Sequence, residues 1–306
     1  MKTELTDTTS SKVNAALLQA RQAIGSPTLG MVLTLLVVTD EENAYDAVKA
    51  ASEASREHPC RILAVIKRTA RGHHKLRQTR LDAELRVGSD AGSGEIVLLR
   101  LHGELTSHTG SVVLPLLLPD APVVAWWPAD APADVARDEV GALAQRRITD
   151  AYANLDPLAV LEHRAASYAP GDTDLAWTRL TPWRSLLAAA LDQRQDRVTG
   201  ATVESEADNP SAELLARWLA DRLGVRVERV VTEGPVITCV RMTTEAGEIS
   251  VDRPGGALAT LGVPGQPDRK VALKIRTTAE LISEELRRLT ADVTYGSALR
   301  KGRVPA

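Results

Sequence analysis

The chain has 306 residues, 37 basic and 40 acidic side chains and a formal net charge of −3. Hydrophobic types make up 44% and charged types 25%, which excludes disorder for the bulk of the chain. The weakly negative balance argues against a nucleic-acid binder, and a chain this long buries roughly 75% of its extended surface. Phe is absent, so the core must come from Leu, Val, Ile and Ala, and the five Trp and four Tyr become informative.

Residues 9–24 read as a first helix, with Val13, Leu17 and Ile24 on one side and Gly25 as its stop. Met31–Val38 is a near-continuous apolar run, as in a strand covered on both faces. Thr39-x-x-Glu42 reads as a capping box opening a helix through Ala44, Val48 and Ala51, and Cys60–Lys67 as the next strand. Strand, helix, strand is a βαβ unit with parallel strands. Strands are expected at Leu81–Val87 and Glu95–Leu101, with GSDAGSGE as their hairpin connection. A helix over Thr109–Leu118 must kink or end early at Pro115. Pro122–Pro128 (PVVAWWP) reads as a short buried strand, followed by helices at Arg137–Arg146 and Pro157–Ser167.

The turn formers of Tyr168–Asp174 mark a domain boundary. Beyond it, Thr181-Pro182 opens a helix to Asp192, and Asn209-Pro210 opens another that Gly224 stops. Several strands follow between Arg226 and Ile275, with Val236–Met242 alternating as in a meander sheet. Thr277-x-x-Glu280 caps a closing helix carrying Ile282, Leu286 and Leu289. The expected fold is α/β: a mixed, mostly parallel sheet with flanking helices over residues 1–170. An α+β domain with a meander sheet follows over 171–306.

No apolar run approaches the roughly 20 residues of a membrane span. The opening MKTELTDTTSSK lacks an apolar leader core, and Cys60 and Cys239 form no CxxC. A reduced, cytoplasmic protein is expected. Gly88, Gly92 and Gly94 lack the Lys-Ser/Thr of a phosphate loop and read as a plain turn. His102 and His108 lack a third metal ligand at a diagnostic spacing, and no nucleophile elbow is present. His58 and Cys60 make a thiolate–imidazole pair only if both are partly exposed; a buried cysteine is the commoner case. No catalytic, cofactor-binding or metal residues are assigned.

Three constellations are left with competing readings. The basic stretch holding Arg68, Arg71, Lys75, Arg77 and Arg80 is either an anion patch, suited to a phosphosugar or nucleotide, or a solvated loop. Asp172 and Asp174 are either paired carboxylates or helix caps, and capping is favoured by the helical run that follows. Trp126, Trp127, Trp177 and Trp183, with Arg179 and Arg184 beside the last two, either anchor a partner interface or pack internally.

The stretches HPCRILAVI (His58–Ile66), LDAELRVG (Leu81–Gly88), LLLPDAPVVAWWP (Leu116–Pro128), RRITDA (Arg146–Ala151), YAPGDTDLAWTRLTPWRSLLAAALD (Tyr168–Asp192) and AELISEELRRLTADVTYGSAL (Ala279–Leu299) resemble the glucose-6-phosphate dehydrogenase assembly protein family, OpcA. PGDTDLAWTRLTPWR is the most specific of them. The resemblance implies a cytoplasmic, non-enzymatic protein whose partner is glucose-6-phosphate dehydrogenase of the oxidative pentose phosphate pathway. It implies no cofactor, nucleic acid or membrane, and it carries over no catalytic residues. The contact set expected on this reading is Trp126, Trp127, Asp172, Asp174, Trp177, Arg179, Trp183 and Arg184.

Overall fold

The computed structural model describes residues 1–24, 30–68, 79–88, 94–192, 196–234 and 236–301. The chain divides into two compact units: residues 1–149 with 278–291, and residues 150–277 with 292–306. Each has its own apolar core.

The first unit opens with a strand the sequence does not announce, β1 (Lys2–Thr8), whose residues are mostly exposed and polar. The expected elements follow: α1 (Ser10–Ile24), β2 (Leu33–Thr39), α2 (Ala44–Ala54), β3 (Cys60–Arg68), β4 (Arg80–Val87) and β5 (Glu95–His102). Helix α3 (Thr109–Val113) stops early, and Leu114–Leu116 continue as a 3-10 turn around Pro115. Strands β6 (Val123–Trp126) and β7 (Arg146–Thr149) complete the unit's sheet. Its order is β1-β4-β5-β3-β2-β6-β7. From β5 to β7 every pairing is parallel, while β1, β4 and β5 pair antiparallel. The apolar runs of β2 and β3 are buried throughout as far as Ile66, as their composition requires.

Two local expectations are corrected. The helix after β2 starts at Ala44, not at a Thr39 cap. Thr39 closes the strand, and Asp40 Oδ1 accepts from the backbone N–H of Asn43 at 2.8 Å instead. Arg137–Arg146 is not a helix: only a 3-10 turn, Gly141–Leu143, lies there, and Arg146 opens buried strand β7 with Arg147 next to it. Strand burial is possible because Arg146 meets Glu285 at 2.9 Å and the Thr290 carbonyl at 3.0 Å. Glu285 lies on α8 (Thr278–Arg287), which thereby joins this unit rather than its sequence neighbours.

A second buried ion cluster ties the sheet together. Glu95 accepts from Arg61 Nε at 3.0 Å and from Arg21 on α1, while Arg61 also donates to the Leu116 carbonyl at 2.5 Å. One carboxylate thus satisfies two guanidinium groups, one of them almost fully buried.

The second unit contains α4 (Pro157–Ser167), β8 (Asp172–Asp174), α5 (Leu175–Thr178), α6 (Thr181–Asp192), β9 (Val198–Ser205) and α7 (Pro210–Leu223). Helix α7 has both expected caps: the Asn209 side chain accepts from Ala212 N–H at 2.8 Å, and Gly224 takes the left-handed conformation at φ 65°. Strands β10 (Val227–Val231), β11 (Cys239–Thr244), β12 (Gly247–Asp252), β13 (Leu258–Gly262) and β14 (Arg269–Ala272) follow. The sheet order is β10-β9-β11-β12-β13-β14, antiparallel throughout except for β9 with β10. A final helix, α9 (Val293–Lys301), returns to this unit.

Replacing Glu95 by Gln leaves two arginines without their anion, one of them buried. The expected cost is about 3–5 kcal/mol, read as a lowered urea midpoint at unchanged m-value.

Candidate functional site

The segment from Tyr168 to Asp192 packs into the second unit as a chain of alternating aromatic rings and guanidinium groups. Asp174 caps α5: its Oδ1 accepts from Ala176 N–H at 2.8 Å and from Ala151 N–H at 3.1 Å. Asp172 closes the preceding turn, its Oδ2 accepting from Ala169 N–H at 2.8 Å. Both carboxylates are buried and satisfy backbone donors, so capping prevails over acid–base pairing.

Trp177 extends from α5 and donates its indole N–H to Asp292 Oδ2 at 2.9 Å. The other oxygen of Asp292 accepts from Thr294 and Tyr295 N–H, both at 2.9 Å, and so caps α9. The Tyr295 ring then stands 5.8 Å from the Trp177 ring and 6.1 Å from that of Tyr168. Arg184 lies 3.8 Å above Trp177, and Arg300 4.8 Å above Tyr168. Gly296 makes the last contact possible: a Cβ there would fall 2.5 Å from the Tyr168 hydroxyl oxygen. A helical glycine costs about 1 kcal/mol relative to alanine, and here it admits a ring. Burial alone would raise the Asp292 carboxyl; the Trp177 indole and the two backbone donors outweigh it and hold the group below the usual carboxylate range.

Beside this stack lies a cavity of about 70 Å³ bordered by Tyr152, Arg179, Trp183, Ser211, Arg253, Lys274 and Arg276. Arg179 binds Asp150 bidentately, both contacts at 2.8 Å, and sits 4.7 Å over the Tyr152 ring. Arg253 sits 5.0 Å over Trp183. Arg179, Arg253 and the Lys274–Arg276 stretch lie far from one another in the sequence, which is why chain order does not reveal the cluster.

All four tryptophans of the expected contact set are buried, at 1% exposure for Trp126, Trp127 and Trp177 and 3% for Trp183. Trp127 belongs to the core of the first unit, Trp177 and Trp183 to that of the second. None offers its ring to a partner; Arg179 and Arg184 are only half-buried.

In the first unit, the carboxyl ends of β2, β3 and β6 frame a crevice of about 710 Å³. Such a crevice is where open parallel sheets commonly bind ligands. Its lining sets Asp40, Glu41, Glu42 and Asp130 against Lys67 and Arg68, which does not favour an anion. Arg68 is already paired with Glu41 at 2.7 Å, and Arg80 with Asp82 at 3.0 Å. Arg71, Lys75 and Arg77, the rest of the expected anion patch, lie outside the described residues, as do Gly92, His73 and His74. Burial pushes the Cys60 thiol up to about 12 and raises that of Cys239 as well, so neither supplies a thiolate at neutral pH. Among the described residues no group of three acidic, His or Cys side chains is arranged to hold a metal ion. No helix among them is long and apolar enough to cross a membrane.

Two family profiles match consecutive parts of the chain. Residues 51–166 match the glucose-6-phosphate dehydrogenase subunit N-terminal domain of OpcA, and residues 170–299 match the corresponding C-terminal domain. The chain belongs to the OpcA family. The profiles meet close to the turn-rich segment at residue 170, whereas the compact units divide at residue 150 and exchange α8. A protein of Nostoc punctiforme named "Putative OxPP cycle protein OpcA" is 27% identical over 189 residues, covering 57% of this chain and 40% of its own. One of the same name from Synechocystis is 28% identical over 142 residues, covering 42% and 29%. The match thus spans less than half the length of these curated relatives. A solved oxidoreductase structure from Sinorhizobium meliloti covers 87% of this chain and 86% of its own at 10% identity, but its TM-score of 0.41 carries no argument.

Two outcomes follow from this packing. Trp177→Ala and Trp183→Ala should each cost about 3–5 kcal/mol of stability by opening a cavity in the core, measured by urea titration. Asp292 is depressed in the folded state, so its contribution is present above the unfolded value of about 4 and is lost as pH falls through the folded value. Asp292→Asn should therefore lower stability at pH 7 and flatten the acid limb of the urea midpoint against pH.

Proposed function

We propose that this chain is a non-enzymatic assembly or activation partner of glucose-6-phosphate dehydrogenase, binding the enzyme and favouring its active arrangement. The observation that carries this reading is the pair of consecutive profile matches, both described as domains of a glucose-6-phosphate dehydrogenase subunit. The fates of the candidate reactive groups support it. Asp172 and Asp174 are spent on backbone donors, and the Cys60 thiol is held protonated by burial. A protein that binds the active arrangement more tightly than the inactive one raises activity by mass action and needs no reacting groups of its own.

On this reading the buried tryptophans brace the contact surface from beneath and do not touch the enzyme. Half-buried Arg179 and Arg184 are the accessible part of the contact set, and exposed Ser185 stands next to Arg184 on α6.

The test is a dehydrogenase assay over a concentration series of the purified protein. Turnover or substrate affinity should rise and saturate with added protein. Ser185→Glu should weaken that response about tenfold while leaving the melting temperature within 1 °C or so, as expected for an exposed polar position. A flat response to the unmodified protein removes the reading.

A further inference from the structure

The cavity of the second unit contains an electrostatic imbalance. Among the described residues its lining holds four cationic side chains, Arg179, Arg253, Lys274 and Arg276, and no carboxylate; Arg276 also donates to the Thr178 carbonyl. Arg179 brings Asp150 with it, in a bidentate pair. Arg253 has no such companion among the described residues. It is 6% exposed, and its two terminal nitrogens donate to the carbonyls of Leu273 and Ile237, both at 3.1 Å. A guanidinium carries five N–H donors. Its Nε–H is buried without an acceptor. Carbonyl dipoles and the Trp183 face offset part of the cost of burying this cation, but no negative charge does. Burial accordingly pushes the group below the usual arginine range.

We propose that this cavity binds a small tetrahedral oxyanion, namely free phosphate or the phosphate group of a phosphomonoester, with Arg253 as its buried anchor. The proposal does not depend on the dehydrogenase reading. The charge of the lining sets the ligand class: an anion whose charged group enters the cavity and whose organic body, where it has one, stays on the side open to solvent. Exposed Lys274 and Ile275 with half-buried Arg276 form that side of the wall, where a phosphomonoester can keep its ester oxygen towards solvent. Ser211 and Tyr152 add hydroxyl groups to the lining, although each already donates, to the Ala176 carbonyl at 2.7 Å and to Asn209 Oδ1 at 2.8 Å. They remain available as acceptors for a monoprotonated phosphate.

The experiment uses the full chain. Its melting temperature is followed against inorganic phosphate, against glycerol 2-phosphate and against chloride at matched ionic strength, with calorimetric titration of the two phosphates. At ten times the dissociation constant the melting temperature should rise by about 3 °C over the chloride control. A response to both phosphates places the ester outside the cavity; a response to inorganic phosphate alone assigns the site to the free ion. Arg253→Met keeps the volume and removes the charge, and it should abolish the shift. If that variant does not fold, Lys274→Gln at the exposed wall should weaken phosphate binding about fivefold. The proposal is overturned if phosphate acts no differently from chloride, or if folded Arg253→Met responds as the unmodified chain does. Where Arg253→Met does not fold, undiminished binding by Lys274→Gln overturns it.

Discussion

The second unit depends on the carboxylate of Asp292. Its one oxygen takes the indole hydrogen of Trp177, and its other takes two backbone hydrogens at the start of α9. These bonds join two segments 115 positions apart and fix the angle at which α9 meets α5. Once α9 is placed, Tyr295 lies against Trp177 and Tyr168, and Gly296 leaves room for the Tyr168 ring. A partly buried carboxylate costs less when its lone pairs are used, and here three donors use them.

The chain lacks Phe, and it fills the resulting gaps with arginine. Arg184 over Trp177, Arg300 over Tyr168, Arg179 over Tyr152 and Arg253 over Trp183 all place a flat guanidinium where a second ring would otherwise lie. The planar, weakly hydrated guanidinium suits this use better than a lysine ammonium would. Each such contact brings a charge inside, and each charge requires an answer. Arg179 finds Asp150, and the buried arginines of the first unit find Glu95 and Glu285. Arg253 stands apart because its answer is two carbonyl groups, which is what directs attention to the cavity beside it.

Sequence patterns reveal elements whose local chemistry agrees with their burial. The βαβ unit at Leu33–Arg68, the early end of α3 at Pro115 and the two caps of α7 are of this kind, since periodicity, Pro, Asn and Gly act over a few residues. The failures share one cause. β1 is polar because only its edge pairing, not its side chains, holds it. The helix expected at Arg137–Arg146 runs into the start of β7 because the partners that permit Arg146 to be buried lie 139 and 144 positions away. For the tryptophans the sequence leaves interface and internal packing both open, because nothing local shows how much chain will fold over them; all four are buried. The cavity is the extreme case: Arg179, Arg253 and Arg276 come from three separate connections, and only the folded chain brings them to one wall.

On the proposed reading, these features bear on how a contact with the enzyme is carried. Rigid elements transmit a contact better than loops, because a bound surface that yields loses the differential affinity on which activation rests. α6 is a rigid platform of this kind, with Trp183 and Leu187 buried beneath it and Arg184 clamped to Trp177. Trp183 also meets Arg253, so the same helix borders the cationic cavity on its inner side.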